Sequence, residues 1–332
     1  MKNIIIISDG IPGHFNQSKG VVSLLNELHS CNITIHQMSW KVYFLRSIFI
    51  ILARLFCKML NKLTASMIVS MYSSVDIKDA DLIIAAGGNT APYNAALKFL
   101  YNKPAIQLGS PRGIHSSLFS GLVTVDKYFD DPSNIIASLT PNSYSPKKCL
   151  RAAKENNMQQ HLLFLIGGEG IGYLYEDDEW DSLIRNIKDL HKNTSLPITI
   201  VTSRRTNPII ENKLRSELSE VPLSYSAWFH KGDKDFHLDA LLGSAKAIFV
   251  TEDSAMMISE SISSGNPVST LYPLNIQSPE RYQKHIKKYL DLGFIKRQSI
   301  NNFRIIDELN ITEIIDEYQS SLLHKIIERI GW

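Results

Sequence analysis

At 332 residues, 44% hydrophobic and 20% charged, the chain has enough length and apolar content for two folded domains of ordinary size. A net charge of +2 excludes a general nucleic-acid binder, so any basic function has to come from a local patch. Cys31, Cys57 and Cys149 are odd in number and show no CxxC spacing, which argues against a disulfide framework and a thiolate zinc site and points to a reducing compartment.

In chain order, the first predicted strand is Ile4–Ile7. It ends at Ser8 and Asp9, too soon for a signal peptide, and no uncharged run reaches the ~18 residues of a membrane span, so the expectation is a cytoplasmic protein. The loop Ser8-Asp9-Gly10-Ile11-Pro12-Gly13-His14 follows, and apolar periodicity predicts a helix from Asn16 to about Leu28. Gly10 and Gly13 allow a ligand to approach the backbone, but their spacing is not the GxGxxG of a dinucleotide site. Asp9 and His14 are the polar groups this loop displays and are the candidates for acid–base work.

A second strand is predicted over Asn32–Met38. From there to about Leu63 the chain is apolar and basic, with no Asp or Glu between Glu27 and Asp76 and with Lys41, Arg46, Arg54, Lys58 and Lys62 spread among large hydrophobic residues. On a helical wheel Arg46, Arg54, Lys58 and Lys62 share one arc and leave a broad apolar face. A core helix has no reason to exclude acids, whereas a helix lying on anionic lipid headgroups does, so residues 40–63 are expected to form one membrane-facing helix.

Three further strand ends follow. Ala80–Ala86 leads into Gly87-Gly88-Asn89-Thr90 and a helix over Tyr93–Tyr101, Ala105–Leu108 leads into Gly109-Ser110-Pro111-Arg112, and Leu122–Val125 leads into Asp126. Strands alternating with helices imply a doubly wound parallel sheet whose strand-end loops form a ligand-facing rim. Residues 140–160, with Pro141, Pro146 and several Ser and Asn, are the best linker candidate.

A second α/β series begins at His161–Ile166 and continues into Gly167-Gly168-Glu169-Gly170. Strand Ile198–Val201 ends in Thr202-Ser203-Arg204-Arg205-Thr206, placing two guanidiniums where phosphates are usually bound. The most informative stretch is VTEDSAMMISESISSGNP, residues 250–267. A buried strand, Ala247–Val250, turns into a helix capped by Asp253 or Ser254, and free N–H groups at such a helix start attract a pyrophosphate. Glu252 and Glu260 bracket that turn, and Glu260, about two turns in, is within reach of sugar hydroxyls on a ligand whose phosphates sit at the helix start. Gly265-Asn266-Pro267 stops the helix before a strand over Val268–Leu271, and Ile311–Ile330 reads as one or two amphipathic helices.

The strings DGIPGHFNQS, AAGGNTAP, QLGSPR, LIGGEG, TSRRT and TEDSAMMISE, in this order along the chain, resemble the mitochondrial-fission Elm family, whose bacterial members look like glycosyltransferases of lipopolysaccharide or lipooligosaccharide outer-core assembly. The resemblance implies an α/β fold of two Rossmann-like domains in the GT-B architecture, with parallel sheets facing an interdomain cleft. The expected domains are 1–150 on the acceptor side, 151–310 binding the nucleotide sugar, and C-terminal helices in 311–332 packing back on the first. By that likeness Glu260 holds ribose hydroxyls, Ser254 and the helix start the pyrophosphate, and Arg204 or Arg205 a phosphate, with Gly167, Gly168, Ser203, Thr251, Glu252, Asp253 and Met256 completing the donor site. Asp9 and His14 face the acceptor as candidate bases, with Gly13, Gln17, Gly88, Asn89, Thr90, Ser110 and Arg112 around them. The partners implied are a nucleotide-sugar donor, a lipid-linked oligosaccharide acceptor and the inner, anionic face of the cytoplasmic membrane, with no nucleic acid. No cofactor or metal is expected, because HExxH and CxxC are missing and arginines with helix-end N–H groups can stabilise a diphosphate leaving group. A non-hydrolysing sugar-nucleotide epimerase and a non-catalytic membrane-associated scaffold of the same fold are the alternatives.

Overall fold

The structure, a computed structural model, describes residues 1–233, 236–306 and 311–332, apart from the side chain of Tyr43. The chain forms two units, one of residues 1–143 with 317–332 and one of residues 144–316. The expected boundary at 310 falls within 307–310, outside the described residues.

The first unit runs β1 (Lys2–Ser8), α1 (Pro12–Leu25), β2 (Cys31–Gln37), α2 (Arg46–Cys57), α3 (Lys62–Ser70), β3 (Leu82–Ala86), α4 (Ala91–Tyr101), β4 (Ala105–Leu108), β5 (Gly121–Thr124) and β6 (Asn134–Ile136). Every pair in its six-stranded sheet is parallel, in the order β2-β1-β3-β4-β5-β6. Ile4–Ile7 of β1 and all of β3 are buried, the near-continuous apolar pattern of strands covered on both faces. Helix α1 begins at Pro12 rather than Asn16, because proline at the first turn has the right φ and lacks only an N–H that would be unpaired anyway. His14 is therefore a helical residue of the first turn, not a loop residue.

The single helix expected over 40–63 is two. Asn61 breaks it, its side chain accepting from the N–H groups of Leu63 and Thr64 while Thr64 Oγ1 accepts from the Asn61 N–H, a capping box that starts α3 afresh. Nor does Arg54 lie on an open basic arc, since its Nε and Nη2 are buried.

The second unit runs α5 (Pro146–Glu155), β7 (His161–Ile166), β8 (Tyr173–Leu174), α6 (Asp177–Thr194), β9 (Ile198–Thr202), α7 (Pro208–Glu217), β10 (Leu223–Ala227), α8 (Leu238–Ser244), β11 (Ala245–Thr251), α9 (Ala255–Ser263), β12 (Val268–Tyr272), β13 (Asn275–Ile276), α10 (Glu280–Asp291) and β14 (Lys296–Ser299). Its six-stranded sheet is again parallel, in the order β10-β9-β7-β11-β12-β14, and β8 and β13 form a small antiparallel pair. Much of the expected linker is the packed helix α5, which belongs to this unit. Ser145 caps it, and any side chain at Gly243 of α8 would collide with the backbone at Cys149. Burial pushes the thiols of Cys57 and Cys149 up to about 12, which leaves both as inert packing groups.

One helix, α11 (Thr312–Ile330), ends the chain. Its Leu322, Leu323, Ile326 and Ile330 join Ile4, Ile6, Val21, Leu25 and Ile84 in the first unit's core. Among the described residues no helix is long and apolar enough to cross a membrane.

Candidate functional site

In an open parallel sheet the chain leaves in opposite directions from the two strands flanking the point where the strand order reverses, and the diverging loops at their carboxyl ends open a crevice. The first unit reverses between β1 and β3, the second between β7 and β11. The loops after these four strands are Asp9–Ile11, Gly87–Thr90, Gly167–Gly170 and Glu252–Ser254, which carry nine of the twenty candidate residues.

At the first reversal the chain leaves β1 through a turn in which Asp9 Oδ1 accepts from the Ile11 N–H at 3.2 Å. Helix α1 then brings His14 back over the turn, with Nδ1 at 3.0 Å from Asp9 Oδ2 and 3.1 Å from Oδ1. The Asp9 side chain is 5% exposed and that of His14 30%. A carboxylate facing Nδ1 fixes the proton there in the neutral ring, which leaves Nε2 as the basic nitrogen. The imidazole packs on Gly87, whose φ of +87° suits glycine and whose missing side chain makes room for the ring. Gly87 is held in turn by Gln107, whose Nε2 donates to its carbonyl at 2.9 Å while Oε1 accepts from Asn94 Nδ2 at 3.1 Å. Arg112 is exposed, runs over Gly88 and donates from Nη1 to Asn89 Oδ1 at 3.4 Å. Gln17 lies against Gly109, next to half-buried Ser110. Asp9, His14, Gly88, Asn89 and Arg112 thus come together.

Thr90 does not join them. It is fully buried and donates back to the carbonyls of Ala86 and Gly87, at 2.9 and 2.8 Å, so it builds the loop and offers nothing to a ligand.

At the second reversal most of the polar groups are already engaged. Thr251 Oγ1 accepts from the Gly167 N–H at 2.7 Å, and Thr206 Oγ1 donates to the carbonyls of Ile166 and Gly167 at 2.8 and 2.7 Å. Glu252, expected to meet the donor, is wholly buried: Oε1 accepts from Thr270 Oγ1 at 2.7 Å and from Arg297 Nε at 2.8 Å. Its own N–H donates to the Tyr175 hydroxyl at 3.0 Å and its carbonyl accepts from the Tyr282 hydroxyl at 2.6 Å. Burial, with the nearby Asp253 and Glu252 carboxylates adding to it, pushes both phenols well above their ordinary range, so they stay neutral. Asp253 is buried too, and its carboxylate and carbonyl both accept from Arg205 Nη1, the carboxylate at 3.2 Å. Burial raises the Asp253 carboxyl above the usual range, against hydrogen bonds from Thr251, the Gly168 N–H and Arg205 that pull it down.

Thr251, Glu252 and Asp253, expected among the donor contacts, are buried and act as struts of the loop. Glycine is required where they act, since a side chain at Gly167 would strike the Asp253 carboxylate and one at Gly168 the Arg205 carbonyl. Ser254 caps α9, its Oγ accepting from the Met257 N–H at 3.5 Å, and Met256 is half-buried in the first turn. Glu260 keeps 8% exposure on α9, Ser203 Oγ accepts from the Arg205 N–H at 3.1 Å, and Arg204 is exposed. Among the described residues no three His, Cys, Asp or Glu side chains are grouped to hold a metal.

Sequence reasoning missed Gln107, Asn94, Tyr175, Tyr282, Thr270 and Arg297. Only Gln107 carries a signal, as the one polar residue of the buried strand AIQL; Arg297 sits in the polar edge strand KRQS, where nothing distinguishes it.

Residues 12–312 match the family model described as Mitochondrial fission ELM1. A curated protein of Rickettsia prowazekii (strain Madrid E), uncharacterized protein RP120, is 27% identical over 122 residues, which is 37% of this chain and only 34% of that relative's length. Among solved structures, the UDP-GlcNAc 2-epimerase of Methanocaldococcus jannaschii is similar at TM-score 0.52 and 12% identity, over 100% of this chain and 92% of that one. ADP-heptose LPS heptosyltransferase II of E. coli is similar at TM-score 0.46 and 12% identity over 99% and 98% of the two chains, and glycosyltransferase SnogD of Streptomyces nogalater at 0.48 and 11% over 99% and 95%. With two Rossmann-like units, two parallel six-stranded sheets and a family match over most of its length, the chain has a GT-B-type fold and belongs to the Mitochondrial fission ELM1 family.

Proposed function

We propose that the chain is a metal-independent glycosyltransferase that moves a sugar from a nucleotide-sugar donor to a hydroxyl of a lipid-linked oligosaccharide, of the lipopolysaccharide or lipooligosaccharide outer-core type. The observation that carries this reading is the Asp9–His14 pair at the first strand-order reversal, at 3.0 Å and with the imidazole still 30% exposed. A buried carboxylate behind a half-buried imidazole is the arrangement that makes Nε2 a general base. In the proposed step an acceptor hydroxyl attacks the anomeric carbon, the new C–O bond forms as the bond to the phosphate oxygen breaks, the nucleoside diphosphate leaves with the electron pair, and the hydroxyl proton passes to His14 Nε2.

The donor is assigned to the second reversal. There the N–H groups at the start of α9 and exposed Arg204 suit a diphosphate, and Glu260 suits the ribose hydroxyls. The acceptor class comes from the family resemblance, and an acceptor of that kind places the protein on the cytoplasmic side, at the inner-membrane surface.

A thermal-shift panel of nucleoside diphosphates and monophosphates tests the donor assignment, because a bound nucleotide raises the melting temperature by mass action. The corresponding nucleotide sugar is then incubated with and without lipooligosaccharide. Transfer only with the acceptor supports the proposal. Isomerised nucleotide sugar without acceptor assigns an epimerase, and no shift with any nucleotide at saturating concentration overturns both.

A further inference from the structure

We infer that α2 and α3 together form a docking surface for an anionic phospholipid bilayer. Seven large apolar side chains stand exposed: Ile48, Ile51 and Leu55 at helical spacing on α2, Leu63 and Met67 at helical spacing on α3, and Phe44 and Met59 next to α2, at 85% and 76%. The opposite faces of the same helices are satisfied. Ala53, Cys57, Ala65 and Ile68 are buried, and Phe49, Leu52, Phe56 and Leu60 pack against the first unit's core. The exposed row is therefore surplus to folding. Leu63 and Met67 are the exposed apolar residues of α3, which starts afresh at the Asn61 capping box.

Charge selects the occupant. Lys41, Arg46, Lys58 and Lys62 are exposed around the row, and the sequence has no Asp or Glu between Glu27 and Asp76. A second copy of this chain would bring like charges together across a self-complementary patch. An anionic headgroup layer accepts both the basic rim and the apolar row, which lies in the interface with the helices flat on the surface. This goes beyond the transfer reaction, because docking needs neither donor nor acceptor.

The test is co-sedimentation of the full chain with vesicles of phosphatidylcholine alone or mixed with phosphatidylglycerol, without nucleotide. Binding is expected with the anionic mixture and should fall with salt. Lys58→Glu with Lys62→Glu should weaken it about thirtyfold or more. Ile51→Ser with Leu55→Ser should abolish it with the melting temperature unchanged, since both side chains are exposed. Three results overturn the inference: wild type left in the supernatant with anionic vesicles at low salt, Ile51→Ser with Leu55→Ser binding like wild type, or a dimer in light scattering that this double substitution dissolves.

Discussion

The two strand-order reversals are built from the same parts and put them to opposite uses. Between β1 and β3, Asp9 is covered while the imidazole it orients stays partly open, and exposed Arg112 lies alongside. Between β7 and β11, Glu252 and Asp253 are both buried and bound to Arg297 and Arg205. A carboxylate next to a strand end is thus no guide to its role, since burying a charge is costly unless it is paired, and once paired it serves as a strut. What the second reversal leaves open are backbone N–H groups at the start of α9 and exposed Arg204, a set suited to holding a ligand. The first leaves a titratable pair, a set suited to moving a proton.

The largest effect on turnover is expected from the first unit. His14→Ala is expected to lower the transfer rate about a hundred- to ten-thousandfold with little change in nucleotide affinity, as for loss of a general base. Asp9→Asn should lower it less and shift the pH–rate profile, because an amide no longer fixes the ring tautomer. Near-normal rates in both variants would move the base elsewhere.

Glu252→Ala comes next, and it should act on stability. It strands Arg297 and Thr270 and is expected to cost about 3 kcal/mol, roughly 6–12 °C in melting temperature. Calorimetric unfolding of apo protein reads this directly. Glu260→Ala is the counterpart: about 1.5–3 kcal/mol lost from nucleotide binding, with the fold intact. Equal loss of stability in the two variants would erase the distinction between strut and ligand group, and unchanged nucleotide affinity in Glu260→Ala would remove the ribose assignment.

The sheets were legible in the sequence wherever strands are buried on both faces. β4 and β7 fall at the expected residues, and β1, β3 and β11 differ only at their ends, because an uninterrupted apolar run leaves little else for the chain to form. β10 and β14 gave no such signal, being half-buried or polar edge strands. The site loops were legible as glycine-rich strand ends, but the state of their carboxylates was not. In sequence Glu252 looks like any strand-end carboxylate, and what makes it a strut is Arg297, 45 residues on and in contact only once β14 pairs with β12. The basic apolar stretch shows the same limit. Its composition was plain, yet only packing tells that Arg54 turns inward while Lys58 and Lys62 stay out.

The smallest effect concerns pH and the strand that carries the second unit's glycine loop. His161 opens β7 fully buried, with Nδ1 at 3.0 Å from the Gln159 carbonyl. Burial lowers its pKa below the ordinary 6.5, against a smaller opposing pull from backbone hydrogen bonds. The unfolded chain therefore takes up a proton near 6.5 that the folded chain refuses, so this group's contribution is complete above that pH and is lost as pH falls through the folded value. Asp253, with its raised carboxyl, pushes the other way at more acid pH, which is why the measurement has to be a difference between variants. His161→Leu keeps the volume and removes the titration, so the stability gap between wild type and variant should move in the variant's favour as pH falls below the ordinary imidazole value. Hydrogen exchange adds the location: in wild type the amides of β7 and β11 should lose protection on acidification before those of β1 and β3. A gap that does not change with pH would mean that His161 is protonated where it stands, and acid would then give no means of loosening one unit before the other.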